Sequence, residues 1–197
     1  MLRFLPATAS VALELGCGAG QFALSLKKKY RAEVWGVEAN GHAAQSASQI
    51  LDRVLVGDVH RLIRELPKNY FDLIVCNDIL EHLANPYQVL TDLRNVMQPD
   101  GSLVCSIPNI RYWPALKHIV LEGDFKYEKW GIFDITHLRF FTKKSIIRMF
   151  SEYGYQLEKI EGINPLESVE FETVNRLFGN ALEDARYMQY ACVAKKS

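Results

Sequence analysis

Three alternate glycines, Gly16, Gly18 and Gly20, lie where a short apolar run gives way to a helical pattern. Residues without a Cβ atom can turn sharply and let a ligand approach the main chain closely. A dinucleotide-binding loop reads G-x-G-x-x-G, but here Gln21 holds the position of its last glycine. The spacing therefore predicts a cofactor-binding loop and disfavours an oxidoreductase that uses a nicotinamide or flavin dinucleotide.

Two acidic residues close later strand patterns. Glu38 ends the second predicted strand, 22 residues after Gly16, and a carboxylate there can accept hydrogen bonds from both hydroxyls of a ribose. Asp58 ends the third, where it either contacts a ligand or caps the following helix, a common role of aspartate. For Glu38 the alternative is a solvated acid at a strand end. The glycine loop favours ribose binding.

Two histidines are candidates for acid–base chemistry. His82 follows the fourth predicted strand and His137 lies in an irregular, aromatic segment. Imidazole titrates near neutral pH and is the usual general base for a hydroxyl or amine. Each could instead be structural, His82 at a helix start and His137 at the turn before Thr142. No histidine or cysteine spacing resembles a zinc site, and Asp78 with His82 lacks further acids, so no metal is predicted.

The elements that must position these residues alternate between strand and helix patterns up to residue 107. Strands are predicted at 10–15, 33–38, 54–56, 71–76 and 102–107, then at 155–163 and 189–194. Pro99-Asp100-Gly101 predicts a turn, and Asn164-Pro165 predicts the start of a long helix. We expect an α/β, doubly wound, mostly parallel seven-stranded sheet with helices on both faces and its last strand antiparallel.

The run E-x-G-x-G-x-G from Glu14 to Gly20 resembles motif I of the class I S-adenosylmethionine-dependent methyltransferases. Later landmarks follow in the family's order over residues 11–107, including the E-H-L run after strand four and the M-Q-P-D-G turn before strand five. The resemblance implies a Rossmann-like methyltransferase fold, S-adenosylmethionine as cofactor and S-adenosylhomocysteine as product. The implied cofactor-binding residues are Glu14, Gly16, Cys17, Gly18, Gly20, Glu38, Asp58, Val59 and Asn77, with Asp58 and Val59 at the adenine.

The run D-x-T-H-L-R-F-F-T at residues 134–142 resembles a subgroup of these enzymes associated with cell-surface polysaccharides. This implies a small acceptor, such as a sugar or another hydroxylated metabolite. Residues 108–141 interrupt the alternation, so we expect them to cover the acceptor, with Tyr112, Trp113 and Arg139 binding it and His137 facing the cofactor sulfur. The aromatic residues could equally be core packing. A non-catalytic domain that binds S-adenosylmethionine is the alternative function.

Composition sets broad limits. The 197 residues suit one domain, 1–197, and the 23 basic residues balance the 23 acidic ones. A nucleic-acid binder normally carries a basic excess, so a small molecule is the expected partner and nucleic acid is not. No apolar run is long enough to span a membrane. The four cysteines form no C-x-x-C pair, which favours a cytoplasmic location.

Overall fold

The computed structural model describes residues 1–197, which form a seven-stranded sheet in the order β3-β2-β1-β4-β5-β7-β6. The strands are β1 (Val11–Leu15), β2 (Glu33–Glu38), β3 (Arg53–Val56), β4 (Phe71–Asn77), β5 (Met97–Pro108), β6 (Tyr155–Pro165) and β7 (Tyr187–Lys196). Pairs among β1 to β5 are parallel, and β7 runs antiparallel to both β5 and β6. The predicted fold class is confirmed, including the antiparallel last strand.

Seven helices accompany the sheet: α1 (Gln21–Tyr30), α2 (Gly41–Ala47), α3 (Val59–Leu62), α4 (Pro86–Val96), α5 (Trp113–Val120), α6 (Lys143–Glu152) and α7 (Val169–Leu177). Local sequence starts several of them. Asn85 accepts a hydrogen bond from Gln88 N–H, with proline at the first helical position of α4. Thr142 and Ser145 exchange hydrogen bonds in a capping box at α6.

The sheet is buried on both faces. The larger cluster includes Leu13, Ile74 and Phe150, and the smaller includes Leu26, Val34 and Val75. Strand β4 is apolar almost throughout because both of its faces lie against helices. Because β1 to β5 run parallel, their carboxyl ends lie together at one edge of the sheet.

Two local predictions were wrong. Pro99-Asp100-Gly101 lies inside β5, where the register against β4 shifts between Phe71 and Leu73, so an irregularity within the strand replaces the turn. The helix expected from Asn164-Pro165 begins at Val169, with Ser168 as its cap. Strand β6 continues through Pro165 because that residue still pairs with Tyr187 of β7, and this long-range pairing overrides the local helix signal.

Residues 108–141 are fastened to the sheet at both ends. Asn109 is fully buried and donates hydrogen bonds to the carbonyls of Asp184 and Tyr187 at 2.8 and 2.9 Å. Near the other end, the N–H groups of Leu138 and Arg139 both donate to the Glu81 carbonyl, at 2.8 and 3.0 Å. The segment therefore lies over the end of β4. None of the helices combines the length and apolar character needed to cross a membrane.

Candidate active site

The glycine loop adopts the left-handed backbone that its sequence predicts, with φ of 65° at Gly16, 53° at Gly18 and 83° at Gly20. A Cβ at Gly20 would lie 2.9 Å from the Leu51 side chain, and one at Gly16 would lie 3.0 Å from that of Ile79. At Gly18 a Cβ would meet nothing within 4 Å. The middle glycine thus borders open space, as expected of the position that a ligand approaches.

Glu38 holds this loop in place. Its Oε2 accepts a hydrogen bond from Gly18 N–H at 2.8 Å, and its Oε1 accepts one from Asn40 N–H at 2.8 Å. Gly16 N–H and Cys17 N–H both donate to the Val37 carbonyl, which ties the loop to β2. Each carboxylate oxygen of Glu38 keeps a second lone pair for a further donor. Glu38 can therefore orient the loop and bind hydroxyl groups at the same time.

A cavity of about 390 Å³ lies in front of the loop. It is lined by Gly16, Val37, Glu38, Ala39, Gly57, Asp58, Val59, Ile79, His82 and Leu83. Asp58 Oδ1 accepts a hydrogen bond from His60 N–H at 2.7 Å, so this aspartate does cap α3. Apolar walls with the Glu38 carboxylate at one side and that of Asp58 at the other suit a nucleoside. The cavity and the open space at Gly18 thus fit the nucleoside part of S-adenosylmethionine.

Five predicted cofactor residues do not line this cavity: Gly18 and Gly20 in the loop, and Glu14, Cys17 and Asn77, whose side chains lie elsewhere. Glu14 is buried beside the start of α1, and burial raises the pKa of its carboxyl to about 8, partly offset by the Ala23 amide. The Cys17 side chain lies under the loop against Gly36, and burial raises its pKa to about 12. Asn77 has a buried Oδ1 without a hydrogen-bond partner. These three side chains support the loop and strand ends from below.

A second cavity, of about 240 Å³, adjoins the first through a shared wall residue, His82. It is lined by Asp78, Glu81, His82, Pro108, Gly131, Ile132, Asp134, His137, Met188 and Gln189. Most of these side chains are polar, and they come from the end of β4, from β7 and from residues 108–141. The fold thus brings His82 and His137, which are 55 positions apart in sequence, into one cavity.

Hydrogen bonds define the proton positions on both imidazoles. His137 Nδ1 lies 3.1 Å from the Ile132 carbonyl, which can only accept, so Nδ1 carries the proton and Nε2 the lone pair. His82 Nδ1 lies 3.0 Å from Thr136 Oγ1. The Thr136 hydroxyl donates its own hydrogen bond to Asp134 Oδ1 at 2.6 Å. Burial lowers the pKa of His137, so this ring is neutral near pH 7 and its Nε2 is a competent acceptor.

Glu81 is the residue that the sequence interpretation did not single out for this cavity. It is 1% exposed, and neither carboxylate oxygen has a hydrogen-bond partner. Its Oε1 lies 3.9 Å from Nε2 of His137. Burial raises the pKa of Glu81 to about 8. The E-H doublet was visible in the sequence, but a glutamate beside a short turn is ordinarily exposed, so its burial could not be predicted locally.

Asp78 and Asp134 supply further carboxylates on the cavity wall. Asp78 has a left-handed φ of 48°, a conformation that aspartate tolerates and that turns the chain out of β4. Its Oδ1 accepts hydrogen bonds from Ser106 Oγ at 2.9 Å and Gln189 Nε2 at 2.7 Å. The hydrogen bond from the Thr136 hydroxyl is the main cause that lowers the pKa of Asp134. These contacts hold both acids in fixed positions.

The residues expected to bind the acceptor are elsewhere. Trp113 lines a separate apolar groove beside Leu116, Val120 and Phe178. Tyr112, at the start of α5, packs against the small apolar cluster formed by Ala115, Ile132 and Phe133. The Arg139 guanidinium donates to the carbonyls of Leu138 and Ala84 and does not line the second cavity. All three side chains lie outside the cavity that contains His137.

Comparison with known proteins agrees with this geometry. The sequence model of the methyltransferase domain family matches residues 1–160. A ubiquinone biosynthesis O-methyltransferase from Neisseria meningitidis serogroup C (strain 053442) is 23% identical over 159 residues, covering 77% of this chain and 66% of the relative. One from Aliivibrio fischeri (strain MJ11) is 27% identical over 165 residues, covering 78% and 68%. The chain thus spans about two thirds of the length of these relatives.

Solved structures share the fold along almost the whole chain. A SAM-dependent methyltransferase from Archaeoglobus fulgidus superposes with a TM-score of 0.70 at 21% identity, covering 99% of this chain and 89% of that one. A possible histamine N-methyltransferase from Thermotoga maritima gives a TM-score of 0.69 at 17% identity, covering 100% and 86%. The family match, the sheet order and the glycine-loop cavity together establish that this chain belongs to the methyltransferase domain family, as a class I S-adenosylmethionine-dependent methyltransferase.

Proposed function

We propose that this protein transfers a methyl group from S-adenosylmethionine to a hydroxyl group of a small-molecule acceptor. The observation that carries the proposal is the shared position of His82, which lines both the nucleoside cavity and the polar second cavity. Donor and acceptor bound in these two cavities would meet at their junction. In a one-step displacement, the protein contributes mainly by holding the two reactants in alignment.

On the cofactor side, the proposal assigns the ribose hydroxyls to Glu38 and the adenine to Asp58 and Val59. The free lone pairs of Glu38 and the open space at Gly18 support this arrangement. Glu14, Cys17, Gly20 and Asn77 act by shaping the loop and strand ends around the cofactor. When bound, S-adenosylmethionine supplies a methyl group activated by a positively charged sulfur.

On the acceptor side, the polar lining favours a hydroxylated molecule over an apolar one. His137 presents an unprotonated Nε2 and is neutral near pH 7, so it can accept the acceptor's hydroxyl proton or hydrogen-bond to its oxygen. The names of the two O-methyltransferase relatives favour oxygen as the methylated atom. The resemblance at residues 134–142 favours a sugar, so sugars and phenols are the two acceptor classes to compare.

We further propose that the chain acts as one domain and that residues 108–141 exclude water from the junction. The double hydrogen bond from Leu138 and Arg139 to the Glu81 carbonyl supports this role, since it seats the segment directly over the second cavity. Arg139 would contribute by holding the segment closed. Tyr112 and Trp113 would contribute by anchoring α5, away from the transferred methyl group.

The test has a binding arm and a transfer arm. S-adenosylhomocysteine should raise the melting temperature and NAD should not, because only a ligand that binds the folded state stabilises it. Radiolabelled S-adenosylmethionine should then label members of a panel of hydroxylated sugars and phenols. Binding without transfer to any hydroxylated acceptor would contradict the acceptor assignment, and failure to bind S-adenosylhomocysteine would contradict the cofactor assignment.

A pair of histidine variants tests the second cavity. His137→Ala should lower methyl transfer by about 10²–10³-fold while leaving affinity for S-adenosylhomocysteine near that of the wild type. His118→Ala is the control, because that histidine is half-exposed and pairs with Glu122 on the surface. Equal transfer rates for the two variants would remove His137 from the reaction.

A further inference from the structure

We propose that Glu81, His82 and His137 form a binding site for one divalent transition-metal ion. One potential ligand atom from each residue lies within 4.8 Å of the others. Two imidazoles and one carboxylate are a common ligand set for such ions, and the remaining coordination positions would face the second cavity. The sequence interpretation predicted no metal because the ligands come from two distant segments. The proposal deepens the acceptor chemistry above and rests on that function only for its catalytic consequence.

The distances suit a common ion. Ligand atoms that bind one ion at about 2.0–2.2 Å lie at most about 4.4 Å apart when they sit on opposite sides of it. Nε2 of His137 and Oε1 of Glu81 are 3.9 Å apart, which is within that limit. The largest separation allowed by the structure, 4.8 Å, exceeds that limit by about 0.4 Å, so a bound ion would have to draw the ligand atoms slightly together.

The outer contacts of the two histidines match those of metal ligands. In each ring Nδ1 is the hydrogen-bonded nitrogen, bound to the Ile132 carbonyl in His137 and to Thr136 in His82. This arrangement leaves Nε2 with the lone pair and fixes the orientation of each ring. The Thr136 hydroxyl donates a hydrogen bond to Asp134, which extends the hydrogen-bond chain from His82 to a carboxylate. Histidines that bind metals often donate their other ring N–H towards a carboxylate in this way.

The Glu81 carboxylate has no partner within the protein. Both of its oxygens are buried without a hydrogen bond, although the side chain lines the cavity beside two imidazoles. A buried polar group without a partner is destabilising unless a ligand compensates it. Asp78 and Asp134 add negative charge around the same cavity, and no lysine or arginine lines it. The local charge therefore favours a cation.

The ligand set favours one group of ions. Imidazole suits Zn²⁺, Co²⁺ and Ni²⁺ better than Ca²⁺, Mg²⁺ or Mn²⁺, which prefer oxygen-rich sites. An ion here would take the acceptor oxygen as an additional ligand and lower the pKa of its hydroxyl. With the ion bound, His137 acts as a positioning residue through the metal, and the hydroxyl proton leaves to water or to a nearby carboxylate.

Co²⁺ is the probe, because its visible absorption reports imidazole and carboxylate ligation without any reaction. Protein treated with a chelator and then titrated with Co²⁺ should bind one ion per chain. Glu81→Gln and His137→Gln should each abolish the absorption band. Thr136→Val removes one outer hydrogen bond to His82 and should weaken binding by about 10–100-fold. His118→Ala is the matched control, because His118 and Glu122 form an exposed pair 2.9 Å apart that could bind metal adventitiously.

S-adenosylhomocysteine affinity is measured on every variant, so that loss of metal is separated from loss of fold and from failure of the methyltransferase assignment. No Co²⁺ binding by the wild type, or binding lost in His118→Ala and retained in Glu81→Gln, overturns the site. Methyl transfer by chelator-treated protein should rise at least about tenfold on addition of Co²⁺. Transfer that is equally fast with and without the ion overturns the proposed contact with the acceptor.

Discussion

Replacing Glu14 by glutamine should change how the free energy of unfolding depends on pH. The Glu14 side chain is 3% exposed, one of its oxygens has no hydrogen-bond partner, and burial raises its pKa from 4.5 to about 8. In the unfolded chain the carboxyl regains its ordinary pKa. Between these two pKa values the folded protein holds a proton that the unfolded chain has released. The contribution of this group to the free energy of unfolding is therefore fully present below pH 4.5. It declines as pH rises from there and is lost as pH passes through 8.

The magnitude follows from proton linkage. One extra bound proton in the folded state lowers the free energy of unfolding by about 1.36 kcal/mol for each rise of one in pH. Between pH 5.5 and 7.5, with partial ionisation near pH 8 included, Glu14 should account for a loss of about 2.5 kcal/mol. Glutamine has nearly the same shape as the protonated acid and does not titrate. The variant should match the wild type well below pH 4.5. Its free energy of unfolding should exceed that of the wild type by about 1.4 kcal/mol at pH 5.5 and by about 3.9 kcal/mol at pH 7.5, a change of about 2.5 kcal/mol between the two.

The assay is urea unfolding of ligand-free protein at both pH values, with the free energy of unfolding extrapolated to water. Other titrating groups, including Glu81, affect wild type and variant alike and cancel in the difference. Glu158→Gln is the control, since Glu158 pairs with Lys195 on the surface. If Glu14→Gln and wild type lose the same stability between the two pH values, then Glu14 is ionised in the folded protein and the reasoning from burial is wrong.

Three further predictions concern the loop and the covering segment. Glu38→Ala should raise the calorimetric dissociation constant of S-adenosylhomocysteine by about 10–100-fold, through loss of charge-assisted hydrogen bonds; unchanged affinity in a folded variant would refute the ribose assignment. Gly18→Val should fold with reduced stability, because a Cβ there meets nothing within 4 Å but the left-handed φ of 53° strains a β-branched residue, and the folded variant should fail to bind S-adenosylhomocysteine; normal affinity would mean that the loop is only a turn. Asn109→Ala should lower the free energy of unfolding in urea by about 1–3 kcal/mol, since the part-buried carbonyls of Asp184 and Tyr187 lose this donor, although Asp184 keeps the Tyr190 hydroxyl; a change below about 0.5 kcal/mol would show that water replaces the side chain.

The sequence alone predicted the fold class and the cofactor loop. Hydrophobic runs separated by helical patterns admit few topologies, and parallel strands joined by right-handed crossovers end at one edge of the sheet. Three alternate glycines after β1 therefore had to lie at that edge, and the left-handed backbone of Gly16, Gly18 and Gly20 confirms why glycine occurs there. The start of α6 at Thr142 was likewise predictable from a local cap.

Other features depended on contacts between distant segments. Pairing of Pro165 with Tyr187 extended β6 beyond a local helix signal. Trp113 and Arg139, expected at the acceptor, lie outside the second cavity because the path of residues 108–141 is set by hydrogen bonds to the end of β4 and to β7. No periodicity in an irregular segment specifies such a path.

The sequence by itself determined the sheet, the edge at which its parallel strands end and the glycine loop at that edge, because these follow from periodicity and backbone freedom within short windows. Only the tertiary structure decided that Glu81 is buried and that it lies 3.9 Å from His137. That pairing joins the end of β4 to a segment more than 50 positions later. Burial and mutual distance are properties of the packed chain, so a glutamate with an ordinary sequence context becomes the centre of a candidate metal site only after folding.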